Sequence, residues 1–144
     1  MTAPAPTLIE AARRLADEVL APGAECADRE GVSPATIAEV KRSGVLGVGG
    51  PVAYGGAQVA DAVAREVAEI LAGACCSTYF VQAQHHSPVR MLAAGDSPAR
   101  ERLLRPLCDG TLLSGIAFSH LRVFPRRPVR VTRVPGGRRA PERA

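Results

Sequence analysis

The sequence is poor in aromatic residues and has no long apolar run, and each shortage excludes a class of protein. Only 3% of the 144 residues are aromatic, and tryptophan is missing. The 47% of hydrophobic residues are rich in alanine and valine, so we expect a core of closely packed helices. No apolar run approaches the roughly 18 residues that span a bilayer, and no charged-then-apolar leader precedes a cleavage-like site. We therefore expect no membrane contact and a cytoplasmic location.

Cysteine is also scarce and is not arranged as a metal site. The four cysteines are Cys26, Cys75, Cys76 and Cys108. They form no C-x-x-C pair, and no histidine stands at ligand spacing from them. We predict reduced, structural thiols and no bound metal.

The net charge of +4 is a property of the end of the chain. Residues 1–121 contain 10 basic and 13 acidic residues, a balance of −3, whereas residues 122–144 contain eight arginines and one glutamate, a balance of +7. Such arginines can attract phosphates. The tail has no interleaved aromatics beyond Phe124 and no recognisable reading motif, so we expect no nucleic-acid partner.

Helical periodicity dominates residues 7–110, and capping residues punctuate it. The first expected helix begins at Thr7, with a capping box to Glu10, and stops or kinks at Pro22-Gly23. The next runs from Ser33 and Pro34 to Gly44. Three more are expected: Ala57–Gly73, Cys75–Ala94 with an interruption at Pro88, and a helix that begins near Asp96 or Ser97. On the Ala57–Gly73 helix, Asp61–Arg65 and Arg65–Glu69 are possible i,i+4 ion pairs.

A glycine-rich segment from Gly44 to Gly56 separates two of these helices. It holds six of the 14 glycines. No Gly-Lys-Ser/Thr follows it. In the dinucleotide-binding pattern G-x-G-x-x-G, Gly47 and Gly49 fit the first two glycines, but Val52 stands where the third glycine is required. We interpret the segment as a structured crossover between helices and not as a phosphate-binding loop.

A polar cluster of Gln82, Gln84, His85 and His86 lies within the Cys75–Ala94 helix. The histidines could act as a base or as metal ligands. Adjacent residues point about 100° apart on a helix, however, and no acid or third ligand stands at a useful offset. We favour a polar contact between helices or between subunits.

The spacing changes to that of strands after Gly110. Leu112–Phe118 and the Val129–Val134 segment are expected strands, and Pro135-Gly136-Gly137 is expected to form a turn. The predicted fold is mainly α, a helical-bundle domain followed by an incomplete β segment. Its divisions are a disordered leader (1–6), a helical domain (7–110), the beginning of a β domain (111–137) and a disordered tail (138–144).

Four motifs carry a family resemblance. They are Leu15-Ala-Asp-Glu-Val-Leu-Ala-Pro with Asp28-Arg-Glu-Gly; Ser43-Gly-Val-Leu-Gly-Val with Pro51 and Tyr54-Gly-Gly; Arg102-Leu-Leu-Arg-Pro-Leu-Cys-Asp-Gly; and Pro128-Val-Arg-Val-Thr-Arg-Val with Gly136-Gly137. From about Leu8 to Gly137, the chain resembles the acyl-CoA dehydrogenase family, including its flavin-dependent monooxygenase relatives.

The resemblance implies an N-terminal helical domain of acyl-CoA dehydrogenase type, a middle β domain and a C-terminal helical bundle. It also implies FAD as cofactor, an acyl-CoA or related small-molecule substrate, a homo-oligomer, and oxidation of CH–CH groups. The family's catalytic glutamate lies in the C-terminal bundle, so no residue here is assigned a catalytic role.

The resemblance also assigns cofactor-binding residues. Ala117–Leu121 answers to the family's flavin-contacting "A-x-T-E-P", with Ser119 in place of the threonine. The implied flavin contacts are Ile116, Phe118 and Ser119. His120 and Leu121 replace the usual Glu-Pro, which leaves room for monooxygenase chemistry.

The arginine-, proline- and alanine-rich end suggests a frameshift or truncation near codon 137, with a genuine basic tail as the rival explanation. On that expectation the chain is an N-terminal fragment that binds FAD weakly or not at all and is inactive alone. The alternative function is a non-catalytic helical module that pairs with a full-length relative through the Gln82–His86 surface.

Overall fold

The computed structural model describes residues 5–116, 129–133 and 139–143, with side chains from residue 8 to residue 116. These residues form six α-helices: α1 (Ala5–Leu15), α2 (Ala21–Glu30), α3 (Pro34–Arg42), α4 (Asp61–Ala74), α5 (Cys76–Ala94) and α6 (Arg100–Cys108). A π-helical turn (Ala16–Leu20) joins α1 to α2, and two 3₁₀ turns (Val45–Gly47 and Val52–Tyr54) lie between α3 and α4. Two strands, β1 (Val129–Arg133) and β2 (Arg139–Arg143), follow. The predicted mainly α fold is confirmed.

The first helical stretch differs from the prediction at its start and at Pro22. It begins at Ala5, so the leader expected over 1–6 already contains the start of α1. Pro22 does not stop the helix. Ala21 instead donates its backbone N–H to the carbonyl of Ala16, five residues back, and this π turn lets the chain continue although Pro22 has no N–H to give.

Helix α3 has the punctuation that the sequence predicts. The Ser33 side chain accepts a hydrogen bond from the N–H of Thr36 at 3.1 Å, and Pro34 occupies the first helical position. Gly44 follows the helix with φ of 79°, the left-handed conformation that glycine adopts without strain. Local chemistry therefore fixes both ends of this helix.

Ser33→Ala is expected to lower the free energy of unfolding by about 1 kcal/mol, the typical cost of removing an N-cap. Ser33→Asp keeps an acceptor for the Thr36 N–H and should stay close to the parent protein. Urea denaturation measures both variants, and equal midpoints for Ser33→Ala and the parent would show that the cap contributes nothing.

The glycine-rich crossover packs against the end of α6, and this packing explains its composition. A Cβ on Gly47 would lie 2.9 Å from the Cys108 carbonyl oxygen, and one on Gly50 would collide with the Cys108 sulfur. The predicted structured crossover is therefore observed, as two 3₁₀ turns rather than an α-helix.

Helix α4 begins at Asp61, four residues later than predicted. The backbone N–H of Ala57 donates to Gly47 O at 2.8 Å, and that of Gln58 donates to Gly50 O at 3.0 Å. These bonds tie residues 57 and 58 to the crossover, and Gln58 has a positive φ of 44°, which a residue inside an α-helix does not adopt.

The tip of the crossover is held by α6. Tyr54 donates its hydroxyl hydrogen to Glu101, and the Arg100 guanidinium carbon lies 5.6 Å from the centre of the Tyr54 ring. Arg105 donates to the carbonyl of Ala53 at 3.2 Å. This is the structural role of Tyr54 in the Tyr-Gly-Gly motif.

Two hydrophobic clusters support this arrangement. The larger lies among α1, α3, α4 and the crossover and contains Leu8, Ala12, Leu15, Leu20, Ala27, Val40, Val45, Leu46, Val48, Val67, Leu71 and Cys75. The smaller joins α5 to α6 through Val89, Leu104, Leu107 and Cys108. Both clusters are aliphatic, but leucine is the commonest residue in them and alanine is rare, so the core is less dominated by small residues than the composition predicts.

Helix α5 is continuous from Cys76 to Ala94, with Pro88 inside it, so the expected interruption is wrong.

The partner of Asp61 in α4 also differs from the predicted Arg65. Asp61 forms an ion pair with Arg90 of α5 at 2.9 Å. Tertiary proximity therefore selects the cation that Asp61 contacts.

The region after Gly110 departs most from the sequence prediction. Residues 111 and 112 form a bend and residues 113–116 have no regular secondary structure, and residues 117 and 118 lie outside the described residues. Strand β1 pairs antiparallel with β2, with Val131 opposite Pro141. Residues 139–143 were expected to be disordered but form β2, because pairing with β1 satisfies their backbone groups. The expected turn at 135–137 lies outside the described residues.

Within the described residues, no helix combines the length and the apolar character that crossing a membrane requires.

Candidate functional site

His85 is held between α6 and the segment that leaves the helical domain. The residue is 0% exposed. Its Nε2 lies 3.0 Å from the carbonyl oxygen of Leu107, and its Nδ1 lies 3.2 Å from the backbone N–H of Ser114. Since Ser114 can only donate, Nδ1 accepts, and the neutral ring carries its hydrogen on Nε2. Burial lowers the pKa of His85 below its ordinary value, which agrees with this tautomer.

Gln84 makes the neighbouring contact to the same segment. Its Oε1 accepts a hydrogen bond from the backbone N–H of Ile116 at 3.2 Å. Leu112 also donates its N–H to the helical domain, to the carbonyl of Pro106 at 2.8 Å. The polar cluster of α5 therefore binds the backbone of the chain that leads to residue 117.

His86 and Gln82 face the crossover instead. His86 Nε2 lies 3.1 Å from the carbonyl oxygen of Val45, to which the ring donates, and Gln82 Nε2 lies 3.5 Å from the same oxygen. Burial is the main cause that lowers the pKa of His86 to about 4, and the positive charge of Arg90 adds to it. His86 is therefore neutral at physiological pH.

The predicted contact between helices is observed for His85, which reaches Leu107 of α6. The other members of the cluster contact the crossover or the segment that follows α6. Gln82 is 1% exposed and His85 is 0% exposed, so these two residues do not form a surface through which another subunit could be bound. This weakens the alternative of an interaction module that uses Gln82–His86.

A pocket of about 380 Å³ lies beside His86, between the crossover, α4 and α5. Asp61, Arg65 and Arg90 are its charged lining residues, and the Arg90 guanidinium is already paired with Asp61. His86 is bonded through Nε2 to the carbonyl oxygen of Val45, and Asp61 and Arg90 neutralise each other.

The thiols do not form a reactive cluster. Cys26 and Cys76 are exposed, Cys75 and Cys108 are buried, and all four are free. Burial raises the pKa of the Cys108 thiol, which keeps it protonated. Across the described residues, no group of three histidine, cysteine or acidic side chains is close enough to hold a metal ion.

Of the three flavin contacts that the resemblance implies, the structure describes one. Ile116 is half-buried at the end of the tethered segment, while Phe118 and Ser119 lie outside the described residues. The N–H of Ile116 is already bound to Gln84 and is not free for a flavin. Its aliphatic side chain is suited to pack against the face of a flavin ring, so a contact of Ile116 with FAD would be apolar packing and not a hydrogen bond.

Gln84 and His85 are the residues whose role the sequence did not reveal. Their polarity within a helix marked them, but the partners of their side chains are backbone groups about 30 residues further along the chain, and no local spacing encodes such a contact.

Comparison with known proteins agrees with these features. The family model described as "Acyl-CoA dehydrogenase, N-terminal domain" matches residues 5–111, which include all six helices and the Tyr-Gly-Gly crossover. No curated protein matches the chain. Since the matched residues make up most of the sequence, the chain belongs to the acyl-CoA dehydrogenase family.

Proposed function

We propose that the chain serves FAD-dependent oxidation of the CH–CH bond next to the carbonyl of an acyl-CoA thioester. The observation that carries the proposal is the family match over residues 5–111. In this reaction FAD, when bound, accepts the hydride from the substrate. No residue of this sequence is assigned the role of the base that removes the proton.

The contribution we propose for this chain is a wall of the flavin site. Ile116 would contact the flavin ring through its side chain, and Phe118 and Ser119 would follow in the same site, with the Ser119 hydroxyl donating to a flavin nitrogen or oxygen. The tether of Ile116 to Gln84 supports this role, because a fixed backbone presents an apolar side chain at a constant position. We further propose residues 7–110 as the N-terminal domain and 111–137 as the beginning of the middle β domain.

We also propose a cytoplasmic location and a homo-oligomeric assembly. Four free thiols, of which two are exposed, suit a reducing compartment. The oligomer is an inference from the family and can be measured by sedimentation of the purified protein.

FAD titration followed by flavin fluorescence tests the proposed site. We expect saturable but weak binding, because the contacts proposed for this chain lie on one side of the flavin ring, whereas ligand sites usually bury most of the ligand surface. Ile116→Asp should weaken binding about tenfold, because a carboxylate against the ring would lose hydration without gaining a partner.

Leu113→Asp is the matched control. Leu113 lies in the same segment, three residues before Ile116, and is 39% exposed. It should bind FAD as the parent protein does. Absence of saturable binding by the parent protein, or equal losses in both variants, would contradict the proposed role of Ile116.

A further inference from the structure

Residues 112–116 donate hydrogen bonds to the helical domain in a strand-like alternation. The three donors are the N–H groups of Leu112, Ser114 and Ile116, and their acceptors are Pro106 O, His85 Nδ1 and Gln84 Oε1. A strand edge offers its N–H groups with a period of two residues. Here two of the three acceptors are side chains of α5 rather than the backbone of another strand.

The position of the acceptor atom of His85, Nδ1, is fixed. Its other nitrogen donates to the carbonyl of Leu107 at 3.0 Å, and the ring is fully buried. Protonation of Nδ1 would place an N–H against the N–H of Ser114, and a flip of the ring would place the Cδ2–H there, so either change would break the contact. The acceptor position is therefore fixed by α6 as well as by α5.

These acceptors are not needed merely to satisfy the backbone. Leu113 and Gly115 are exposed, and Ser114 and Ile116 are only half-buried, so water could reach this segment. The two adjacent side-chain acceptors fix the register of the segment on α5. If the segment slipped by one residue, the N–H groups of Leu113 and Gly115 would meet these acceptors instead, and the side chain of Ile116 would be displaced from its position.

We infer that Gln84 and His85 are positioning residues, which set the register of Ser114–Ile116 on α5 and thereby the place of the flavin-contacting residues that begin at Ile116. The inference rests on the proposed flavin site, because only that site gives the register a function. Both residues act through the backbone of the segment and do not themselves touch a cofactor.

Amide hydrogen exchange of the full chain, measured residue by residue by NMR, tests the tether without any cofactor. Gln84→Ala should speed exchange of the Ile116 N–H about three- to tenfold, the loss that one hydrogen bond of ordinary strength produces. Gln84→Glu keeps an oxygen acceptor at the same distance from the helix and should restore protection to within about twofold of the parent protein.

His85 allows a second, paired comparison. His85→Asn retains an acceptor near the position of Nδ1 and should keep the Ser114 N–H protected, whereas His85→Gln retains a donor near the position of Nε2 and should lose that protection. The pair separates the register contact from the packing of the ring, since each variant alters the buried volume.

FAD titration of the same variants links the tether to the flavin site. Gln84→Ala should weaken FAD binding about three- to tenfold, and Gln84→Glu should not. Unchanged exchange at Ser114 and Ile116 in the alanine variant overturns the inference, and so does faster exchange with unchanged FAD affinity. If the parent protein binds no FAD, the proposed flavin site fails, while the exchange data still decide whether the tether exists.

Discussion

Replacing Gly56 with alanine is expected to lower the free energy of unfolding by about 3 kcal/mol, at the upper end of the cost of overpacking. Gly56 is buried, and a Cβ there would collide with the backbone of Gly50, including its Cα at 2.6 Å. Backbone atoms cannot rotate out of the way as a flexible side chain can. The crossover would have to open, and the hydrogen bonds of Ala57 and Gln58 to Gly47 and Gly50 would open with it.

Gly73→Ala is the control for this substitution. Gly73 is exposed near the end of α4, and no heavy atom lies within 4 Å of a Cβ added there. Alanine is the better helix former, so this variant should be about 0.5 kcal/mol more stable than the parent protein. Urea denaturation followed by circular dichroism measures the stability of both variants. A Gly56→Ala protein as stable as the parent protein would show that Gly56 does not pack directly against the backbone of Gly50.

Lowering the pH from 6.5 to 5 is expected to destabilise the protein by about 1–2 kcal/mol through His86. The folded state lowers the pKa of His86 to about 4, whereas an unfolded histidine titrates near 6.5. Between these values the unfolded chain binds the extra proton, so stability is complete above pH 6.5 and is lost as the pH falls towards 4. Burial lowers the pKa of His85 as well, which adds a loss of the same sign.

His86→Gln isolates this contribution. Glutamine can still donate to the carbonyl of Val45, but it does not titrate, so the variant should show a smaller fall in unfolding free energy between pH 6.5 and 5. Thermal or urea unfolding at four or five pH values in that window provides the measurement. Parallel pH profiles for the parent protein and His86→Gln would mean that His86 is protonated at the same pH in the folded and unfolded chain.

Local sequence was sufficient where one residue and its near neighbours decide the structure. Ser33, Pro34 and Gly44 predicted α3 because a cap, a preset φ and a left-handed residue act within a few positions. It was insufficient at two prolines. Pro22 predicts a stop or a kink and Pro88 an interruption, yet a π turn accommodates Pro22, and Pro88 lies inside a helix that packs on both α4 and α6.

The candidate site shows the same division. The resemblance named Ile116, and the polar cluster of α5 stood out in the sequence, but nothing in the order of residues connected the two. The Leu112–Phe118 segment has the composition of a strand, but the N–H groups of Ser114 and Ile116 bind His85 and Gln84 of α5 instead of another strand.

The sequence by itself determined that this chain contains a helical domain with an aliphatic core and a glycine-rich crossover, since periodicity, caps and glycine content act locally. Only the tertiary structure decided which polar side chains serve the site. The partners of Gln84 and His85 lie 32 and 29 residues away along the chain, and packing of α5 against α6 brings them within hydrogen-bonding distance.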